Sequence, residues 1–315
     1  MNSDKIDRWK ADIQESIDFY NEWFLQFAPK TFREARDEAI KRVHNAIQIT
    51  RGCKDCSAQI ILQHPGVLSV LRMCTAPPLA RDRLAGLSGV RRHLLTKIEN
   101  EKGKLSWDEA KGRRLQKELD SISRVLRKML DRDLFVWLDT GRSATRDELY
   151  RAETVVADRL TGAFSDPIIR NAQEQRQLQA IASFLKTLGY RELTESERSD
   201  WRSLPKGTYG FRLNVPITSQ NNRKVNIPVD AVVRPTSGGN PLLIEAKSAG
   251  DFTNTNKRRK EEAQKFSQLC DTYGDVNYIL FLCGYFGSPY LGYEAAEGID
   301  WVWEHRIEDL REFGL

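Results

Sequence analysis

Asp230, Glu245 and Lys247 are the residues of this 315-residue chain whose types and spacing could do chemistry together. Two strand-like runs, Val225–Val233 and Leu242–Lys247, flank the turn-rich segment Pro235-Thr-Ser-Gly-Gly-Asn-Pro241. A hairpin loop centred near Gly238 gives opposed residues numbers summing to about 476, which sets Asp230 within a residue of the position facing Glu245. Glu245 and Lys247 stand two apart on one strand and share a face. Leu242–Ile244 is a continuous apolar run, the pattern of a strand buried on both sides. Two carboxylates and an ammonium on such a strand are costly to bury without work to do. The chemistry that suits them is to hold a hard divalent cation against a phosphodiester. The plainer alternative is a surface salt bridge, worth up to about 1 kcal/mol; the apolar residues crowding the charges favour a site at a strand's end.

Elements must hold these residues in place, and the first half of the chain reads as helices. Ile6, Trp9, Ile13, Ile17, Tyr20 and Phe24 recur at three- and four-residue spacing, with Pro29 closing that helix and a second running over 31–49. Leu115, Leu119, Ile122, Leu126 and Met129 mark a third, and Leu149–Leu160 a fourth. Ser165-Asp-Pro167 is the expected boundary, because an X-Pro step disfavours the helix before it. The expectation is an all-α domain over 1–165 and a second domain over 166–315. The second domain predicts a helix over 171–187, strands over 210–217, 225–234 and 241–248, a helix over 256–272 and a strand over 276–285.

In that order of elements, and in Pro228-Val-Asp230 followed by Glu245-Ala-Lys247, residues 165–315 resemble the PD-(D/E)xK nuclease superfamily. The proline is separated from the aspartate by Val229, a departure at a residue without chemistry. Gly284-Tyr-Phe-Gly287, Gly298–His305 and the helical N-terminal half look like a type II restriction endonuclease, with the XamI-like enzymes as the group. The fold class implied is α/β (α+β), a restriction-endonuclease-like mixed sheet flanked by helices. The resemblance implies Mg²⁺, with Mn²⁺ able to substitute, held by Asp230, Glu245 and the carbonyl of Ala246, and Lys247 orienting the attacking water. It implies in-line hydrolysis leaving 5′-phosphate ends. It also implies a further metal-site glutamate on the helix entering this domain, where Glu174 is the acidic candidate; the alternative is a glutamate favoured by the dipole of a first helical turn. Gln264 and Lys265 lie where relatives place a residue near the scissile bond.

The implied partner is double-stranded DNA, and cutting both strands of a palindromic site favours a homodimer. The net charge of +5 and pI near 8.9 suit a polyanion, yet 44 acidic residues offset most of the 49 basic ones. DNA contact must therefore come from local patches. Lys257, Arg258, Arg259 and Lys260 form one, without an aromatic platform, and phosphate contact competes there with a merely solvated face. Arg81 and Arg83, in the proline-rich stretch 75–83, could reach phosphates or base edges with their guanidinium forks, or simply be solvated in a helix connection. His305 reads as an interface or core histidine and not as a general base.

No run approaches a membrane span and the N-terminus lacks a signal-peptide pattern, so a soluble, intracellular protein is expected, and the resemblance implies the cytoplasm of a prokaryote. Cys53-Lys-Asp-Cys56 could ligate zinc with Cys74 and His64, or be ordinary thiols near a helix start. Two other functional classes stay open: a structure-specific repair or recombination nuclease of the same fold, and a DNA-binding module without catalysis.

Overall fold

The computed structural model describes residues 2–101, 109–198, 200–218, 224–253 and 255–315, with backbone alone for 109–111 and 255–258. Helices fill the first half: α1 (Trp9–Ile49), α2 (Ala58–Gln63), α3 (Val67–Met73), α4 (Arg81–Ser88), α5 (Arg92–Asn100), α6 (Glu109–Met129), α7 (Trp137–Thr140) and α8 (Arg146–Thr187). Then come β1 (Arg191–Glu192), β2 (Thr208–Thr218), β3 (Lys224–Arg234), β4 (Leu242–Ala249), α9 (Thr255–Tyr273), β5 (Asn277–Gly284), α10 (Ser288–Ala296) and β6 (Asp300–Trp303). The chain forms two compact units, one of residues 28–168 and one of 1–27 with 169–315.

The helical unit is built on one core. Val43, Ile61, Leu68, Leu84, Leu95, Leu119, Ile122, Phe135, Trp137 and Val156 are all fully enclosed in it. Cys53, Cys56 and Cys74 are buried among these residues as free thiols. Neighbouring thiols and burial hold Cys53 and Cys56 far above the ordinary thiol range. Thiols kept protonated in this way behave as small apolar side chains.

Two expected helix ends are absent. Pro29 lies inside α1 and Pro167 inside α8. A proline removes one i→i−4 bond and crowds the carbonyl a turn earlier, which kinks a helix without necessarily ending it. Here the residues on both sides keep helical apolar spacing, with Leu160 and Leu178 both buried, so the local rule loses.

In the other unit, the described strands form a mixed sheet of order β1-β2-β3-β4-β5-β6. The β2–β3 and β3–β4 pairs are antiparallel, and β4–β5 and β5–β6 are parallel. Side chains alternate across it. Leu243, Leu280, Leu282, Trp301 and Trp303 meet Leu269 of α9 and Leu291 of α10 on one face. Leu242, Ile244, Ile279, Phe281 and Val302 meet Ile181, Phe184 and Leu185 of α8 on the other. Helices on both faces explain the unbroken apolar run of β4. At the end of β5, Gly284 has φ +97°, and a Cβ there would collide with the carbonyl of Ala249 at the end of β4.

Candidate active site

The hairpin pairs Ala231 with Ile244, Val232 with Leu243 and Val233 with Leu242, so extending the ladder one step sets Asp230 opposite Glu245. The ladder stops short of that pair, and beyond it lies a cavity of about 420 Å³. Instead of a ladder bond, the N–H of Ala246 donates to Asp230 Oδ2 at 2.9 Å. Asp230, Glu245, Ala246 and Lys247 line this cavity with Glu174 and Gln177 of α8 and Glu262 and Lys265 of α9.

Charges in the cavity are paired closely. Lys247 Nζ donates to Glu245 Oε1 at 2.8 Å, and Lys265 Nζ to Glu245 Oε2 at 2.5 Å. Lys265 also donates to the carbonyl of Pro228 at 2.6 Å. Lys247 lies 3.8 Å from Glu262, whose other oxygen accepts from Tyr290 at 2.6 Å. Burial, reinforced by the Glu245 charge, pushes Asp230 up to about 6. Burial alone would lower Lys247, but the carboxylates of Glu245 and Glu262 outweigh it and hold the ammonium above its ordinary range. Behind Glu262, fully enclosed Glu294 is pushed up to about 8, first by burial and then by the Glu262 charge.

Backbone order behind the site comes from α8. Gln177, itself buried, donates to the carbonyls of Lys247 at 3.3 Å and Phe281 at 3.1 Å, clamping β4 to β5 beneath the charges. Glu174 stands far inside α8, because that helix begins at Arg146, so a first-turn dipole cannot be what holds it. Its carboxylate accepts from Arg212 at 2.7 Å. Arg212 has φ +53° in the middle of β2, between the ladder pairs Phe211–Ala231 and Leu213–Val229, and so lies across from Asp230. A non-glycine residue in that region carries backbone strain of about 1–3 kcal/mol, a cost met most often beside functional sites.

The structure thus brings together Asp230, Glu245, Ala246, Lys247 and Glu174, and of Gln264 and Lys265 only the lysine lines the cavity. Gln264 is exposed on α9. In the basic run, the side chains of Lys257 and Arg258 lie outside the described residues, and Lys260 is exposed. Arg259 does have an aromatic platform, contrary to expectation: its guanidinium lies 3.7 Å from the centre of the Tyr293 ring. Arg81 starts helix α4 and pairs with Glu99 at 2.5 Å, beside a second pair of Glu99 with buried Arg72 at 2.6 Å; Arg83 is exposed. Gln177, Glu262 and Arg212 were not legible as site residues. A polar first turn and a charged helix face look alike in sequence whether or not a sheet edge lies under them.

Comparison with known proteins settles the family. The XamI restriction endonuclease family matches residues 51–303, a span that includes the hairpin and its charges. The chain belongs to this family. It is also 50% identical, over all of its own length and 99% of the relative's, to the protein named type II restriction enzyme SalI from Streptomyces albus G. No solved structure matches. The matched span includes the cavity at the end of the β3–β4 ladder, which is the candidate active site.

Proposed function

We propose that the chain is a site-specific endodeoxyribonuclease of PD-(D/E)xK type, hydrolysing double-stranded DNA with a divalent cation, Mg²⁺ or Mn²⁺, at Asp230 and Glu245. The observation that carries this reading is the meeting of buried Glu245, half-buried Asp230 and a lysine at the point where the β3–β4 ladder ends. The donor set suits Mg²⁺, being carboxylate and carbonyl oxygen from Asp230, Glu245 and Ala246. Two ammoniums already crowd Glu245, which marks a position built to gather positive charge.

A bound divalent cation would supply Lewis-acid charge to the scissile phosphoryl group. Asp230 is held through Oδ2 by the Ala246 N–H while lining the cavity, and Glu245 offers whichever oxygen its lysines release. Lys247 orients the attacking water and stabilises negative charge as it grows in the transition state. Lys265 tethers Glu245 to the Pro228 carbonyl and so fixes the carboxylate relative to β3. Glu174 forms the far wall, where its Arg212 partner governs how much negative charge it lends the site. In-line attack leaves 5′-phosphate ends, and a homodimer presents one such site to each strand. Lys260, with Arg258 and Lys257, contacts backbone phosphate.

Digestion of mixed plasmids with Mg²⁺ tests the reading. Discrete bands are expected, and none from Asp230→Asn or Glu245→Gln protein that still binds DNA. Nicks at junctions or flaps would indicate a repair nuclease; binding without any cutting would indicate a non-catalytic module.

A further inference from the structure

A second cluster of ligand-type side chains lies away from the cavity, within the sheet-containing unit. Asp12 and Glu15 stand three apart on α1, on one helix face. His305 follows β6, in the short helical segment that closes the chain. His305 Nε2 lies 3.9 Å from Asp12 Oδ1 and 3.7 Å from Glu15 Oε2, and one donor atom from each residue falls within 4.8 Å of the others.

The histidine itself points to a ligand. Its side chain is only 4% exposed, and among the described residues neither ring nitrogen has a hydrogen-bond partner. An imidazole carries a donor and an acceptor, and enclosing both unpaired is unfavourable unless a ligand completes them. Both separations exceed hydrogen-bond reach, which leaves the ring facing two carboxylates with no direct bond to either. Charge around the cluster is negative: Asp12, Glu15 and Asp309 face one arginine, Arg306, bound to Asp12 at 2.8 Å and to Asp309 at 2.6 Å. That pairing uses Asp12 Oδ2 and leaves Oδ1 toward the histidine.

We propose that Asp12, Glu15 and His305 form a binding site for a transition-metal ion of the Zn²⁺ type, separate from the phosphodiester site. One imidazole and two carboxylates make a mixed nitrogen–oxygen set, which selects Zn²⁺, Co²⁺ or Mn²⁺ over Mg²⁺. Ligand bonds near 2.0–2.2 Å set tetrahedral donors about 3.4 Å apart, so the two histidine–carboxylate separations need to close by about half an ångström, and the exposed Glu15 side chain is free to bring its carboxylate in. The ion would clasp the start of α1 to the C-terminal segment and so stabilise the folded chain by mass action.

The experiment uses full-length protein carrying Asp230→Asn and Glu245→Gln, so that the catalytic cavity contributes no carboxylate pair. Calorimetric titration with Zn²⁺ should show one site, Zn²⁺ should raise the melting temperature, and Co²⁺ should give the visible bands of a low-coordinate complex. Adding Glu15→Ala should weaken Zn²⁺ binding at least tenfold and remove the thermal shift. Glu15 is 65% exposed, so this variant folds normally. His305→Gln should lose the Co²⁺ bands as well. Equal Zn²⁺ affinity with and without Glu15→Ala and His305→Gln, or no Zn²⁺ bound by the starting protein, overturns the assignment.

Discussion

At the scale of single residues, the two lysines on Glu245 have separable roles. Lys247 faces both Glu245 and Glu262, whereas Lys265 spans Glu245 and a backbone carbonyl. Lys247→Met should therefore lower kcat by about 10²–10³-fold, the loss typical of one preorganised charge at the reacting centre. Lys265→Met should instead lower the Mg²⁺ concentration giving half-maximal cleavage, because it frees Glu245 Oε2 from a competing cation. A Mg²⁺ titration of both variants separates the roles; matching curves would show the lysines to be equivalent. Glu294 offers a different test. Its folded value of about 8 stands above the ordinary 4.5, so the folded chain keeps a proton that the unfolded chain releases. The stability this supplies is full below about pH 4.5 and is lost as pH rises toward 8. Relative to Glu294→Gln, wild-type protein should lose about 2 kcal/mol or more between about pH 5 and pH 8, read from urea midpoints. A pH-independent difference would mean that Glu294 is ionised throughout.

Among the elements, the hairpin was the part most legible in sequence. A loop centred near Gly238, between Pro235 and Pro241, gave a register within one residue of the observed pairing. Strands β2–β5 and helix α9 likewise lie where the pattern put them, to within a few residues. The short edge strands β1 and β6 and helix α10 carry too little pattern to be read alone. The proline stops failed because a local backbone preference was outweighed by apolar positions on either side. Arg212 could not have been foreseen, since nothing in an arginine between phenylalanine and leucine announces a left-handed residue. The Asp12–Glu15–His305 cluster escaped notice because its members come from opposite ends of the chain. Where β4 and β5 end together, Gly284 has both a positive φ and a carbonyl in the path of any side chain. Gly284→Ala should cost at least about 1–3 kcal/mol and shift the urea midpoint with unchanged slope. A neutral effect would show that this strand end can relax.

At the scale of the whole molecule, the excess of basic over acidic residues is too small to make the surface uniformly attractive to DNA. Binding should depend on local contacts whose loss can be counted. Lys260, exposed on α9, should contribute a phosphate contact: Lys260→Gln should weaken cognate and scrambled duplexes alike and reduce the magnitude of the salt slope by about 0.9. A selective loss of cognate binding would instead make it a base reader.

The sheet-containing unit is discontinuous, drawing on residues 1–27 and 169–315, whereas residues 28–168 form a unit of their own. The order of synthesis then becomes an order of activation. All of the helical core has left the ribosome while the sheet is still missing β2–β6. Asn2, which donates to the carbonyl of Trp301 at 2.8 Å, must wait for nearly the entire chain. At ~5–20 residues per second that wait is roughly 15–60 s. The candidate site is therefore synthesised well before the sheet that carries it is complete, and it stays unfinished until β6 has emerged.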